Sequence, residues 1–104
     1  MEIKEFLMRT NSLFLADFET ESIHLSQNPT KDVLEVQILL HNERSLSFSI
    51  WDSTGRRLKV FDGRIYNSGS TNDELKIDGL NDGLYYLKAV GGPEEWSKPF
   101  LVQR

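Results

Sequence analysis

The chain has 104 residues, no cysteine and a net charge of −4. That length supports one domain with one core, and the missing cysteines exclude disulfides, thiolate catalysis and cysteine-ligated zinc. The acidic balance argues against a dedicated nucleic-acid or anionic-membrane binder, which needs a basic face, and no stretch approaches the roughly 20 apolar residues of a membrane-spanning helix.

In chain order, "MEIKEFLMRT" starts acidic and is broken by charges. It lacks the long apolar run and small-residue cleavage site of a signal peptide. The expectation is a cytosolic chain, or a piece cut from a longer exported protein. "EIKEFLMRT" suits either a strand or a short helix, "SLFLADFET" suits a strand, and "ETES" is a polar break. Residues 1–22 therefore read as a linker or extra N-terminal strand(s), and residues 23–104 as the domain proper.

"IHLSQNPT" is a short apolar run ending in an Asn28-Pro29 turn, where proline fixes its own φ and biases its predecessor to extended geometry. "DVLEVQILL" alternates, with Leu34, Val36, Ile38 and Leu40 on one face. "SLSFSIWD" sets Leu46, Phe48 and Ile50 against Ser45, Ser47 and Ser49. Period-2 alternation of this kind marks half-buried strands. "DSTGRR" is a turn with Gly55 where positive φ is cheap. "RLKVFDGRIY" is a strand with Gly63 marking a bulge or bend. "NSGST" reads as a loop, and "DELKIDGL" as a short strand carrying Leu75 and Ile77 inward. "GLYYLKAV", a "GGPEE" turn and "WSKPFLVQR" complete the chain. About seven short strands with regular turn signals predict an all-β fold, an Ig-like or fibronectin-like antiparallel β-sandwich.

Signals for chemistry are weak. His24 and His41 have no partner at metal-ligand spacing. Asp73-Glu74, Asp78, Asp82 and Glu94-Glu95 flank turns, and "DGLNDG" departs from the calcium-loop pattern. The serines line a polar face without a nucleophile elbow. No cofactor, metal or catalytic residue is expected. Arg56, Arg57, Lys59 and Arg64 form a small basic patch that reads as edge protection. Trp51, Tyr66 and Tyr86 are candidate surface aromatics suited to carbohydrate stacking, with packing against the rest of the protein as the alternative. Tyr85 and Tyr86 point to opposite faces. Tyr85, just after Leu80 and Gly83, has the placement of a tyrosine corner.

Four motifs in order carry a family resemblance. They are "LSQNPTKDVLEV" with Asn28, Pro29, Thr30 and Asp32; "SIWDSTGRRL" with Ile50, Trp51, Asp52, Gly55 and Arg56; Leu80, Gly83 and Tyr85; and "WSKPFLVQR" with Lys98, Phe100, Val102 and Arg104. From about Ile23 to Arg104 the chain resembles the C-terminal sorting domain of type IX (Por) secretion cargo. Ser26-Gln27 replaces the Tyr-Pro usual ahead of Asn-Pro. The resemblance implies a non-catalytic export tag. An upstream cargo would be directed through the outer-membrane translocon, and a sortase-like peptidase would then remove the tag. It implies passage through the periplasm to the cell surface or exterior, assuming an upstream signal peptide. Recognition would use the last strand, with edge amides open to β-augmentation and Lys98 as a charged contact. A strand-mediated homodimer is a further expectation. The alternatives are a carbohydrate-binding module, whose mark is an exposed row of Trp51, Tyr66 and Tyr86, and a partnerless spacer.

Overall fold

The computed structural model describes residues 20–25 and 30–104. Most of the expected N-terminal linker or strand region, and the Asn28-Pro29 turn, lie outside the described residues.

Seven strands follow one another: β1 (Ser22–Leu25), β2 (Val33–Leu40), β3 (Arg44–Asp52), β4 (Arg57–Tyr66), β5 (Gly69–Lys76), β6 (Gly83–Gly91) and β7 (Glu94–Val102). They form a three-stranded sheet of order β1-β2-β5 and a four-stranded sheet of order β4-β3-β6-β7. Every ladder is antiparallel. The fold is thus an all-β sandwich. In antibody constant domains the fourth strand joins the sheet of the first, second and fifth. Here β4 instead stays in a hairpin with β3.

The expected alternation fills the interior. Leu34, Val36, Ile38 and Leu40 of β2 face Leu46, Phe48 and Ile50 of β3 across one core. Tyr85, Leu87 and Ala89 of β6 and Phe100 and Val102 of β7 complete it. Leu87 occupies the position two residues after the corner tyrosine where antibody domains carry their second cysteine. It is buried, so apolar packing replaces the inter-sheet disulfide in a chain without cysteine.

Two features differ from the sequence reading. The loop "NSGST" is shorter than expected, because Gly69, Ser70 and Thr71 already pair with Leu40, Leu39 and Ile38. Polar residues form a strand there because a complete β2 ladder offers partners for their backbones. The second difference is in β4. Leu46 pairs with Arg64 but Phe48 pairs with Phe61, so two steps along β3 match three along β4. The extra residue sits at Asp62–Gly63, where a bulge was expected. A bulge of this kind breaks the strict alternation of faces. Beyond it Tyr66 turns inward and is buried at 6 % exposure, whereas Arg64, opposite Leu46, stays exposed at the sheet edge and bonds Asp73 at 2.8 Å.

Candidate recognition surface

The strand directions place four connections at one end of the sandwich. They are the approach to β2, the β3–β4 turn, the β5–β6 loop and the end of β7. Asp52 pairs with Tyr85, and Tyr85 pairs with Phe100. One row across three strands therefore joins residues from three motifs that are far apart in sequence. We call this end the motif pole.

The β3–β4 turn is organised by Asp52. Its Oδ1 accepts the Thr54 N–H at 3.0 Å, the Thr54 hydroxyl at 2.7 Å and the Arg56 N–H at 2.9 Å. Its Oδ2 accepts Arg56 Nε at 3.2 Å. Its backbone carbonyl accepts the Gly55 N–H, and Gly55 adopts φ 91°. A residue with a Cβ adopts that conformation only under strain. The donors, the Thr54 hydroxyl foremost, hold the Asp52 carboxyl at about 2, below its ordinary 3.8.

The β5–β6 loop is held by side chains. The Tyr85 hydroxyl donates to the Asn81 carbonyl at 2.7 Å, four residues upstream. This is the geometry of a tyrosine corner. The ring stacks on Phe100 at 5.8 Å between centroids. Gly83, at φ 155°, lets the chain turn into β6 beneath that ring. The preceding carbonyl, Leu80, accepts both Nε and Nη2 of Arg104 at 2.9 and 2.7 Å. Arg104 Nη1 reaches Asp32 at 2.6 Å, and its backbone N–H reaches Asp82 at 3.1 Å. One guanidinium thus binds the β5–β6 loop to the approach to β2.

Thr30 joins that approach to β7. Its N–H donates to the Leu101 carbonyl and its carbonyl accepts the Gln103 N–H, both at 2.9 Å. Its side chain is buried, and its hydroxyl donates to the Val33 carbonyl. The Ile77 N–H donates to the Asp32 carbonyl at 2.8 Å. Asp32, Asp52, Gly55, Leu80, Gly83, Tyr85, Phe100 and Val102 are therefore neighbours or near neighbours in space.

Lys98 is not part of this group. It faces Leu87 in the middle of β7, four residues before Val102, roughly 13 Å along the strand. It is half-buried, and among the described residues no acidic side chain pairs with its ammonium. The surface aromatics also separate. Trp51 and Tyr86 are cross-strand partners on the outer face of the four-stranded sheet. Tyr66 is not on that face: the β4 bulge turns it into the core. Its hydroxyl donates to Asp73 at 2.6 Å, and its ring meets Phe48 edge-on at 6.1 Å. Burial and the Asp73 carboxylate push that hydroxyl's pKa upward. The expected row of three exposed aromatics therefore reduces to a pair. Trp51 is already engaged, since its indole N–H donates to Ser49 Oγ at 2.9 Å and Lys88 Nζ lies 4.3 Å from the ring centre.

Two features went unrecognised in the sequence. Arg104 stood out only as the last residue of a family motif, and nothing in spacing linked it to Leu80. The other is a lock at the opposite pole. There Arg44 contacts Glu21 at 2.9 Å and Glu94 at 2.6 Å, and Glu21 also accepts the His41 N–H at 2.8 Å. That backbone bond is the foremost cause lowering the Glu21 pKa.

Comparison with known families accords with the geometry. The model of the secretion system C-terminal sorting domain matches residues 28–103. The chain belongs to this family, the C-terminal sorting domains of type IX secretion. No curated protein matches the chain.

Tyr85→Phe removes one hydrogen bond to a loop carbonyl. Chemical denaturation is expected to show a loss of about 1 kcal/mol or more, and unchanged stability would remove the corner's energetic role. Asp52 gives a pH test. Its folded pKa lies below its ordinary value, so its contribution is fully present above about pH 4 and is lost as pH falls through about 2. The stability difference between the protein and Asp52→Asn, followed by thermal melting, should shrink over that window. A constant difference would contradict the assigned donors.

Proposed function

We infer that family membership gives this domain a sorting role in type IX secretion, with export to the cell surface or exterior and interaction with the secretion machinery. We propose that it acts as a non-catalytic address on an upstream cargo, and that the translocon reads the motif pole. The observation that carries this reading is convergence. Segments around residues 30–32, 52–56, 80–85 and 100–104 meet at one end, tied together by Arg104, Thr30, the Tyr85 hydroxyl and the Asp52–Tyr85 pair of the β3–β6 ladder. An unfolded peptide would not present them together, so the signal is a folded shape.

The proposal extends to geometry. The chain reaches β1 through Thr20 and Glu21 at the opposite pole, beside Arg44 and Glu94. An upstream cargo would leave the sandwich there. The nine residues of β3 separate the poles by about 30 Å. A sortase-like peptidase acting on the upstream junction would then work away from the surface that the translocon holds. The carbohydrate-binding alternative loses support, because Lys88 and Ser49 already engage the leading aromatic, Trp51.

A reporter with a signal peptide, fused ahead of this domain in cells with a type IX system, tests the proposal. Deleting Lys98 to Arg104 should abolish surface display, but it also takes Phe100 and Val102 from the core. The sharper variants are therefore Lys31→Glu and Asp78→Lys, two exposed positions at the motif pole. Display should fall about tenfold in the double variant with little change in melting temperature. Glu43→Lys, exposed at the other pole, should display normally. Equal display of all three proteins would refute reading at the motif pole.

A further inference from the structure

The four-stranded sheet has two edges, and they differ. At the β7 edge, Thr30 bonds Leu101 and Gln103. Backbone groups alternate in direction along a strand, so the odd-numbered residues of β7 are the ones facing away from β6. Pro99 is among them and has no N–H to offer. Thr30 and Pro99 together block the C-terminal half of that edge and leave only Glu95 and Ser97 facing outward.

The β4 edge is open. Among the described residues no strand pairs with its outer side. Asp52 directs its N–H and carbonyl to Arg56 and Gly55 across the hairpin. By the same alternation the even-numbered residues of β3 bond β4, through Lys59, Phe61, Arg64 and Tyr66. Val60 and Ile65 pair instead with odd-numbered Ser49 and Ser45, so their backbone groups point outward. Their side chains are 64 % and 69 % exposed, among the most exposed large apolar groups in the protein. The other face of β4 carries Lys59 and Arg64, opposite Ile50 and Leu46; Arg64 is already bonded to Asp73 at 2.8 Å, whereas among the described residues no acidic side chain pairs with Lys59. One edge thus combines free backbone groups, two apolar side chains on one face and an unpaired cation, Lys59, on the other.

We propose that β4 accepts an extended segment of another protein as an added strand, with apolar residues beside Val60 and Ile65 and an acidic residue beside Lys59. Charge selects this occupant. A second copy pairing through its own β4 would bring together two net-positive strands, each with Arg57, Lys59 and Arg64 against Asp62 alone, and like charges across a seam destabilise a sheet. Pairing with the β7 edge of a second copy meets Pro99 and Thr30. The charges and the bulge at Asp62–Gly63 also discourage indiscriminate pairing, which leaves the edge selective. The surface is separate from the motif pole, so variants at Lys31 and Asp78 should leave it intact.

The probe is a short peptide alternating valine and glutamate, with its valine–lysine counterpart as control. Each is titrated in excess into the full chain carrying ¹⁵N, and amide shifts are followed by NMR. The glutamate peptide should shift amides across Arg57–Tyr66, and the lysine peptide should bind at least about tenfold more weakly. Val60→Pro removes an outward donor and should abolish the shifts. Should that variant fail to fold, Lys59→Glu leaves the backbone intact and should narrow or reverse the preference between peptides. No shifts in β4 with excess glutamate peptide, equal binding of both peptides, or shifts centred on β7 would each overturn the proposal.

Discussion

The motif pole depends on one charged group making several backbone and side-chain contacts. Arg104 gives two N–H bonds to the Leu80 carbonyl and one to Asp32. Hydrogen bonds from an ionised donor are stronger than neutral ones, and here they join segments that no sheet ladder connects. The sandwich core fixes the strands, but a core does not fix the loops beyond their ends. Thr30 adds a second tie by bonding both Leu101 and Gln103. The Tyr85 hydroxyl adds a third by holding the Asn81 carbonyl. These ties join the approach to β2, the β5–β6 loop and the end of β7, and the Asp52–Tyr85 pair of the β3–β6 ladder sets the β3–β4 turn beside them.

Much of this was legible in the sequence. Alternation in β2 and β3 identified the inward residues because each strand buries only one face. Tyr85 was legible as a corner because its position after Leu80 and Gly83, in phase with Leu87, left its hydroxyl near the loop it turns from. Tyr66 was not legible as a core residue. Gly63 suggested a bulge, but only the register with β3 shows that one extra residue sits there and reverses the faces beyond it. The length of β5 escaped for a related reason. Gly69 disfavours strands, no apolar residue marks Gly69 to Thr71, and their pairing is imposed by β2. Arg104 carries no local pattern at all, since its partners lie 24 and 72 residues away.

The two ends of the sandwich have different tasks in this account. The motif pole collects the family's segments. The opposite pole, where Arg44 joins Glu21 to Glu94, fixes the point at which the upstream chain meets the fold. Ion pairs near the surface add little stability individually, and the half-buried Arg44 and Glu21 side chains serve this lock chiefly by orienting the chain. The edges divide in the same way. Thr30 and Pro99 occupy or blunt β7, whereas β4 keeps outward backbone groups beside Val60 and Ile65. The last strand is therefore read better as a support for the pole than as a free edge, and Lys98 stands apart from the cluster its motif suggested.

Photo-crosslinking in secreting cells tests the central claim most directly. A photoreactive residue is placed at Arg56, on the motif pole, or at Asn67, in the turn between β4 and β5 at the other end, in a reporter fused to this domain. Crosslinks to the outer-membrane secretion machinery should form from position 56 and be absent or much weaker from position 67. Crosslinks of equal strength from both positions, or from position 67 alone, would contradict recognition through the motif pole.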